Sequence, residues 1–222
     1  MISVNHVSKI VGGSPVLEDV TLQVARRECV RLAGARRSGR TTLLHMLAAL
    51  VSPTSGAISI DDVDVASHPL KARRRVAYVC VDALAGSGLR VDEYLWLVAR
   101  ARGVRPGPRL NTLMTGARLA PHAGIDSLTA SGRAAVALAA GLAAEASVLL
   151  LDNALGAVKE PERLVFAEWI GDARDKGAAV VVVSDEPDEV TTLCGRVVTL
   201  ENGRLHSGLS PLPLPEEASW AR

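Results

Sequence analysis

The chain has 222 residues, 48% of them apolar but only 3% aromatic, so the core of one medium-sized domain must be filled mainly by Ala, Val and Leu. Twenty-five Lys and Arg face 24 Asp and Glu, and a net charge of +1 gives no argument for nucleic acid, an anionic membrane surface or an acidic substrate. Cys29, Cys80 and Cys194 are far apart, odd in number and outside any CxxC pattern, which argues against a metal site or disulfide framework and for a reducing, cytosolic setting. The N-terminus lacks the basic start and apolar run of a signal peptide. The longest apolar candidate, Ala134 to Ala144, is shorter than the roughly 20 residues needed to span a bilayer.

In chain order, Val4, Val7 and Ile10, then Val16, Leu17, Val20, Leu22 and Val24, predict two strands by partial alternation. A strand Cys29–Ala33 runs into a Gly- and Arg-rich turn, and a helix follows from Thr41 with Leu43, Leu44, Leu47 and Leu50 at helical spacing. Ser52 to Gly56 ends that helix, and Ala57 to Ile60 returns as a strand. A helix is predicted from Asp92 to Arg102, broken by Gly103 to Pro108. Ser131 or Gly132 opens a long Ala-rich helix toward Ala144.

The continuous apolar run Val148 to Leu151, ending in Asp152, suits a parallel strand buried on both faces. A helix near Glu162 to Lys176 and a second buried strand, Ala178 to Ser184, come next. A short hairpin from Val197 to Leu205 turns at Glu201-Asn202-Gly203. Residues 208–222 form a Pro-rich tail expected to be mobile. Strands alternating with helices make an α/β fold with a mainly parallel sheet.

The first chemical signal is the run Gly34, Ala35, Arg36, Arg37, Ser38, Gly39, Arg40, Thr41, followed by Thr42. It has the spacing of a phosphate-binding GxxxxGK[ST] loop between a strand and a helix, with Arg40 in place of the lysine. Glycines there let backbone N–H groups close around phosphates, the helix N-terminus adds positive potential, and Thr41 would hold Mg²⁺. Alone, the motif is equally compatible with an ordinary glycine-containing strand-to-helix turn.

Further along, Leu128-Thr129-Ala130-Ser131-Gly132-Arg133 precedes the Ala-rich helix, and Val148 to Asp152 ends on a carboxylate. Pro187-Asp188-Glu189-Val190 and then Leu200-Glu201-Asn202-Gly203-Arg204-Leu205 close the ordered part. In this order and spacing, from about Ile2 to Leu205, the chain resembles the ATP-binding cassette (ABC) transporter ATPases. The resemblance implies a P-loop NTPase core with a mainly parallel sheet, an N-terminal antiparallel β part and a small helical lobe at roughly 82–140, all within one domain, 1–207. It implies ATP and Mg²⁺ as ligands, with Gly34 to Thr42 on the phosphates and Thr41 and Asp152 on the metal. It also implies a transmembrane permease and a second ABC ATPase domain as partners, in a homodimer or heterodimer. The chain would then lie in the cytoplasm, held at the inner membrane face by the permease. Around Tyr78, Val91 to Leu95 and Glu189-Val190 the likeness is greatest to the branch serving ABC-2 type exporters.

The departures from that family carry most of the functional information. The aromatic residue that stacks on adenine would fall near Ile10 or Val11, and neither has a π-face. Arg37 replaces a glycine of the loop, and Arg40 the lysine, with a planar fork of different reach. The glutamine that helps hold Mg²⁺ and the attacking water aligns with Val81. The general base that follows Asp152 is Asn153, and the switch histidine aligns with Asp185. Ala130 and Ser131 replace the paired glycines of the signature, Gly132 its final glutamine, and Lys159 the aspartate of the segment after the base. Gly34, Gly39, Thr41, Thr42 and Asp152 are retained.

Losing a general base alone costs about 10²- to 10⁴-fold. Phosphoryl transfer rests on positioning and charge stabilisation, so the joint losses leave little to drive it. The reading is a non-hydrolysing ABC-type subunit with weak or absent ATP binding, a structural or regulatory partner of a permease or a second cassette. The alternative is a slow but active ATPase subunit powering ABC-type export. A lesser reading makes Arg36, Arg37 and Arg40 a sensor of some other anion, against the plainer expectation of exposed arginines paired with neighbouring acids.

Overall fold

Two kinds of strand build two sheets. Strand β1 (Ile2–Val11) alternates buried and exposed residues, and the turn at Gly12-Gly13, where φ is +56° and +81°, folds β2 (Ser14–Val24) back beside it. Strand β3 (Cys29–Ala33) leaves for a second sheet. Strand β4 (Ser55–Ile60) pairs antiparallel with β1, and β5 (Val63–Asp64) closes the order β2-β1-β4-β5. The second sheet adds β6 (Val76–Cys80), β7 (Val148–Asp152), β8 (Ala179–Val183), β9 (Arg196–Glu201) and β10 (Arg204–Ser207) in the order β10-β9-β3-β8-β7-β6. All its pairs are parallel except β9 with β10. The architecture is the α/β fold expected from the sequence, a mainly parallel sheet beside an N-terminal antiparallel one. In the computed structural model that gives these elements, the described residues are 1–80, 84, 86–105, 107–184 and 191–207.

The parallel sheet divides two apolar cores. Val148 and Leu150 of β7, with Val181 and Val183 of β8, face a core shared with β1, β2 and β4 and with helix α1 (Arg40–Leu47). The intervening Leu149, Leu151, Val180 and Val182 face a core filled by helices α3 (Val91–Ala101), α4 (Pro108–Gly116), α5 (Ala130–Ala143) and α6 (Glu162–Asp175). A short α2 (Pro69–Arg73) leads into β6. Helix α5 buries Ala134, Ala135, Ala137, Ala139 and Ala140, and a Cβ on its Gly141 would run into the Val79 side chain. Alanines and that glycine let the helix lie close against the sheet without aromatic filling, as the composition requires.

Most predicted boundaries hold within a residue or two, but α1 is shorter than its leucine spacing suggests. It stops at Leu47, Ala49 turns into the left-handed region (φ +57°), and Leu50 stands half exposed. Helices α2 and α4 and strands β5 and β6 are not marked by the periodicity. The Pro187–Val190 run and the tail 208–222 lie outside the described residues.

One polar cluster ties the sheets together. Asp61, at the β4–β5 turn, has its carboxylate buried and accepts a hydrogen bond from Ser147 Oγ (2.7 Å). It also pairs with Arg26 (2.9 Å), Arg75 (3.2 Å) and the N-terminal ammonium (3.1 Å). Burial acts to raise its pKa, but the Ser147 hydroxyl, the ammonium and Arg75 outweigh it, so the carboxyl is held below its ordinary value.

Candidate functional site

The Gly34–Thr42 loop lies between the end of β3 and the start of α1. Gly34 (φ +146°) and Gly39 (φ +101°) both need glycine, and for reasons of packing as well as backbone. A Cβ on Gly34 would collide with the Leu200 carbonyl oxygen, and one on Gly39 would lie 2.7 Å from Leu17 Cδ2 and 2.9 Å from the Val16 carbonyl oxygen. Their retention therefore follows from how the loop is wedged between β9 and the β1–β2 hairpin. It is no vote for a nucleotide. Arg37 occupies the left-handed region at φ +66°, a conformation that costs a side-chain-bearing residue about 1–2 kcal/mol.

Ala35, Arg36, Arg37 and Thr41 are exposed, Thr42 is half-buried, and Ser38 and Arg40 are buried. Among the described residues, neither Arg36 nor Arg37 forms an ion pair, contrary to the expectation of neighbouring acids. Among the described residues no side chain caps α1, and the Ser38 hydroxyl is buried without a hydrogen-bond partner. Arg40, at the lysine position, opens α1 but is only 6% exposed, folded into the protein.

Arg37→Gly should stabilise the chain by about 0.5–1 kcal/mol, the relief of left-handed strain less the extra backbone entropy of glycine. Urea unfolding of the two proteins would measure it. A loss of stability instead would mean that the Arg37 side chain makes a contribution exceeding its strain.

The acidic half of the site is at the end of β7. Register sets Cys80 of β6 opposite Asp152 and brings Tyr78 beneath it. Tyr78 donates its hydroxyl hydrogen to Asp152 Oδ2 (3.0 Å), and its oxygen lies 3.1 Å from His45 Nε2. The phenol has one hydrogen, given to the carboxylate, so His45 Nε2 donates to the phenol oxygen. The His45 and Tyr78 rings pack edge to face with centroids 5.4 Å apart. Burial, then the Asp152 charge, raises the Tyr78 pKa well above the ordinary phenol value, and the hydroxyl stays protonated. This His45–Tyr78–Asp152 chain joins residues 33 and 74 positions apart and has no local sequence signal.

Asn153 follows in the left-handed region (φ +48°), its backbone N–H bonded to the Val183 carbonyl at 2.9 Å. Its side chain is a carboxamide, at the position where the sequence resemblance leads one to expect a carboxylate. Val81 and Asp185 fall outside the described residues.

The signature run starts α5. Thr129 is the N-cap and accepts from the Gly132 backbone N–H (3.2 Å), while Ser131 Oγ accepts from the Lys159 backbone N–H (3.2 Å). The structure thus brings Ala130, Ser131 and Gly132 beside Lys159, lining an open groove of about 650 Å³ with Arg118 and Glu160. Ile10 and Val11, near which the resemblance would place an adenine-stacking ring, are exposed aliphatic side chains, 49% and 54% accessible.

ATP and Mg²⁺ therefore meet a divided site. The loop, with an uncapped helix and exposed arginines, fits a phosphate group. At the end of β7, Asp152 Oδ2 accepts from Tyr78 and the next residue carries an amide.

Sheet order, loop and strand-end carboxylate define a P-loop NTPase core. The model of the ABC transporter family matches residues 17–156, and the chain belongs to that family. The sulfate/thiosulfate import ATP-binding protein CysA 2 of Rhizobium meliloti is 29% identical over 95% of this chain. The corresponding protein of Brucella melitensis is 32% identical over 89%. The aliphatic sulfonates import ATP-binding protein SsuB 1 of Shouchella clausii is 29% identical over 98% of this chain and 85% of its own length. The chain spans only 60% and 57% of the first two.

Among solved structures, the ATP-binding subunit of an ABC transporter superposes with a TM-score of 0.85 at 25% identity, covering 93% of this chain and 90% of that one. A dimeric bacterial ABC transporter cassette reaches 0.83 at 23% identity over 93% and 98%, which speaks to the fold. The relatives named are import proteins, so the export branch expected from Tyr78 and Val91 to Leu95 gains no support from them.

Proposed function

We propose that this chain is a cassette-type subunit of a membrane transporter that no longer hydrolyses ATP and binds it weakly or not at all. It acts as a structural or regulatory partner. It docks on a transmembrane permease at the cytoplasmic face and pairs with a second cassette through the face carrying the signature groove. Import, the direction named for its relatives, is the one this reading adopts. The observation that carries the proposal is Asn153 at the end of β7. A carboxamide does not take up a proton near neutral pH, so no base follows Asp152 to activate a water. Tyr78 on Asp152 and the buried Arg40 weaken the site further.

Thermal melting with Mg-ATP tests it. A ligand at 100 times its Kd adds about 2.7 kcal/mol, worth about 5–10 °C in a domain of this size. No shift is expected at low-micromolar Mg-ATP, and no ATPase above a mock purification. A clear shift would refute weak binding. Steady turnover abolished by Asp152→Ala would replace the proposal with the slow-ATPase reading, which the retained Thr41 and Asp152 favour.

A further inference from the structure

Cys29 and Cys194 are 165 positions apart in the sequence, yet their sulfurs stand 2.6 Å from each other. Cys29 opens β3, and the parallel register of Val30 opposite Arg196 brings the residues just ahead of β9 alongside it. Both side chains are buried, 3% and 2% exposed, in the core on the helical side of the sheet. The 3-10 turn Thr191–Leu193 leading to Cys194 is fastened to α6, where Arg174 Nη1 donates to the Leu193 carbonyl at 3.0 Å. Cys80 ends β6, with β8 and β7 between that strand and β3, so it cannot compete for either thiol.

Sequence spacing argues against a disulfide framework, and no bond joins the two sulfurs in the structure; their proximity is the work of the fold. It sets side by side two thiols that differ from a disulfide only by two hydrogens and a small closing movement, a bonded pair lying at about 2.05 Å. We propose that Cys29 and Cys194 form a reversible disulfide, a covalent modification site joining the base of the central strand to the entry of β9.

The chemistry balances with a low-molecular-weight disulfide as oxidant. One protein thiolate attacks it, forming a mixed disulfide and releasing one small thiol. The second protein thiolate attacks the protein-bound sulfur and releases the other, and the two S–H protons leave on the two small thiols. The contact with Cys194, and then burial, raises the Cys29 pKa and keeps that thiol protonated in the packed state. The thiolate is the nucleophile, so exchange proceeds through local opening, and the closed bond is shielded from reductant in the same way.

The test equilibrates the full chain in buffers from reduced to oxidised glutathione, quenches with acid, unfolds, alkylates, and reads intact mass and linked peptides. The chain has three cysteines, so three alkyl groups are expected in reduced buffer and one, on Cys80, in oxidised buffer, with a single Cys29–Cys194 peptide. Cross-linking a loop this long should raise the melting temperature of the oxidised chain by roughly 5–10 °C. Cys80→Ser should keep the bond and the rise, and Cys194→Ala should lose both. Three alkyl groups in every buffer, glutathione adducts without a linked peptide, or links through Cys80 would each overturn the proposal. The wild-type peptide map decides even if Cys194→Ala fails to fold.

Discussion

Single-turnover hydrolysis by Asn153→Glu at saturating Mg-ATP is expected to stay within about tenfold of the unmodified chain, far short of the 10²- to 10⁴-fold that a general base supplies in an assembled site. A base helps only where water and γ-phosphate are already in line. Tyr78 holds Asp152 Oδ2, and Arg40 is folded into the protein. Val81 offers no group to orient water. Catalytic groups that act as a unit are strongly non-additive, so the first repair in a broken set yields almost nothing. Arg40→Lys, Asn153→Glu and Asp185→His together should exceed the product of their separate effects and still fall short of a working cassette. Turnover in the ordinary ATPase range from Asn153→Glu alone would show a site one step from function.

A large loss of stability is expected on neutralising Asp61. Asn at this position keeps the shape but removes the charge facing Arg26 and Arg75, and hydrogen bonds to a charged group are worth about 1.5–3 kcal/mol. At neutral pH, Asp61→Asn should therefore lose about 2 kcal/mol, or roughly 4–8 °C in melting temperature. The pH dependence has a definite sign. The folded carboxyl titrates below its ordinary value, so its contribution is complete above the unfolded pKa of about 3.9 and disappears as the pH falls through the folded one. Denaturant curves of the two proteins should be separated at pH 7 and converge in acid. A gap that persists unchanged at the lowest pH where both fold would place the effect in packing, not in the charge.

How far the sequence foretold this structure depended on the kind of signal each element carries. Strand β7 was legible to the residue because its unbroken Val and Leu run has few other solutions, and β3 because it leads straight into the glycine-bearing loop. Helix α5 was legible as a long small-residue run. Helix α4, PRLNTLMTG, was not: Asn and Thr dilute its apolar stripe, and the proline at its start reads as a breaker. Within the candidate site, the loop and the Asp152–Asn153 pair could be read because they are contiguous. The Tyr78 hydroxyl on Asp152 and the meeting of Cys29 with Cys194 could not, since both arise where β6 meets β7 and β3 meets β9. Nor does any local pattern announce that Arg26 and Arg75 converge on Asp61.

The division of the molecule by its parallel sheet also bears on how such a chain could come to exist. Residues that hold it together, such as Val30, Leu150, Val181 and Val182, lie along the strands, facing one core or the other. Residues that would handle a nucleotide lie where strands end, at Gly34 to Thr42 and at Asp152-Asn153, and apart from the two wedged glycines few of them support either core. Inheritance can then wear away the chemistry one strand end at a time while the shape persists under selection for a mating surface alone.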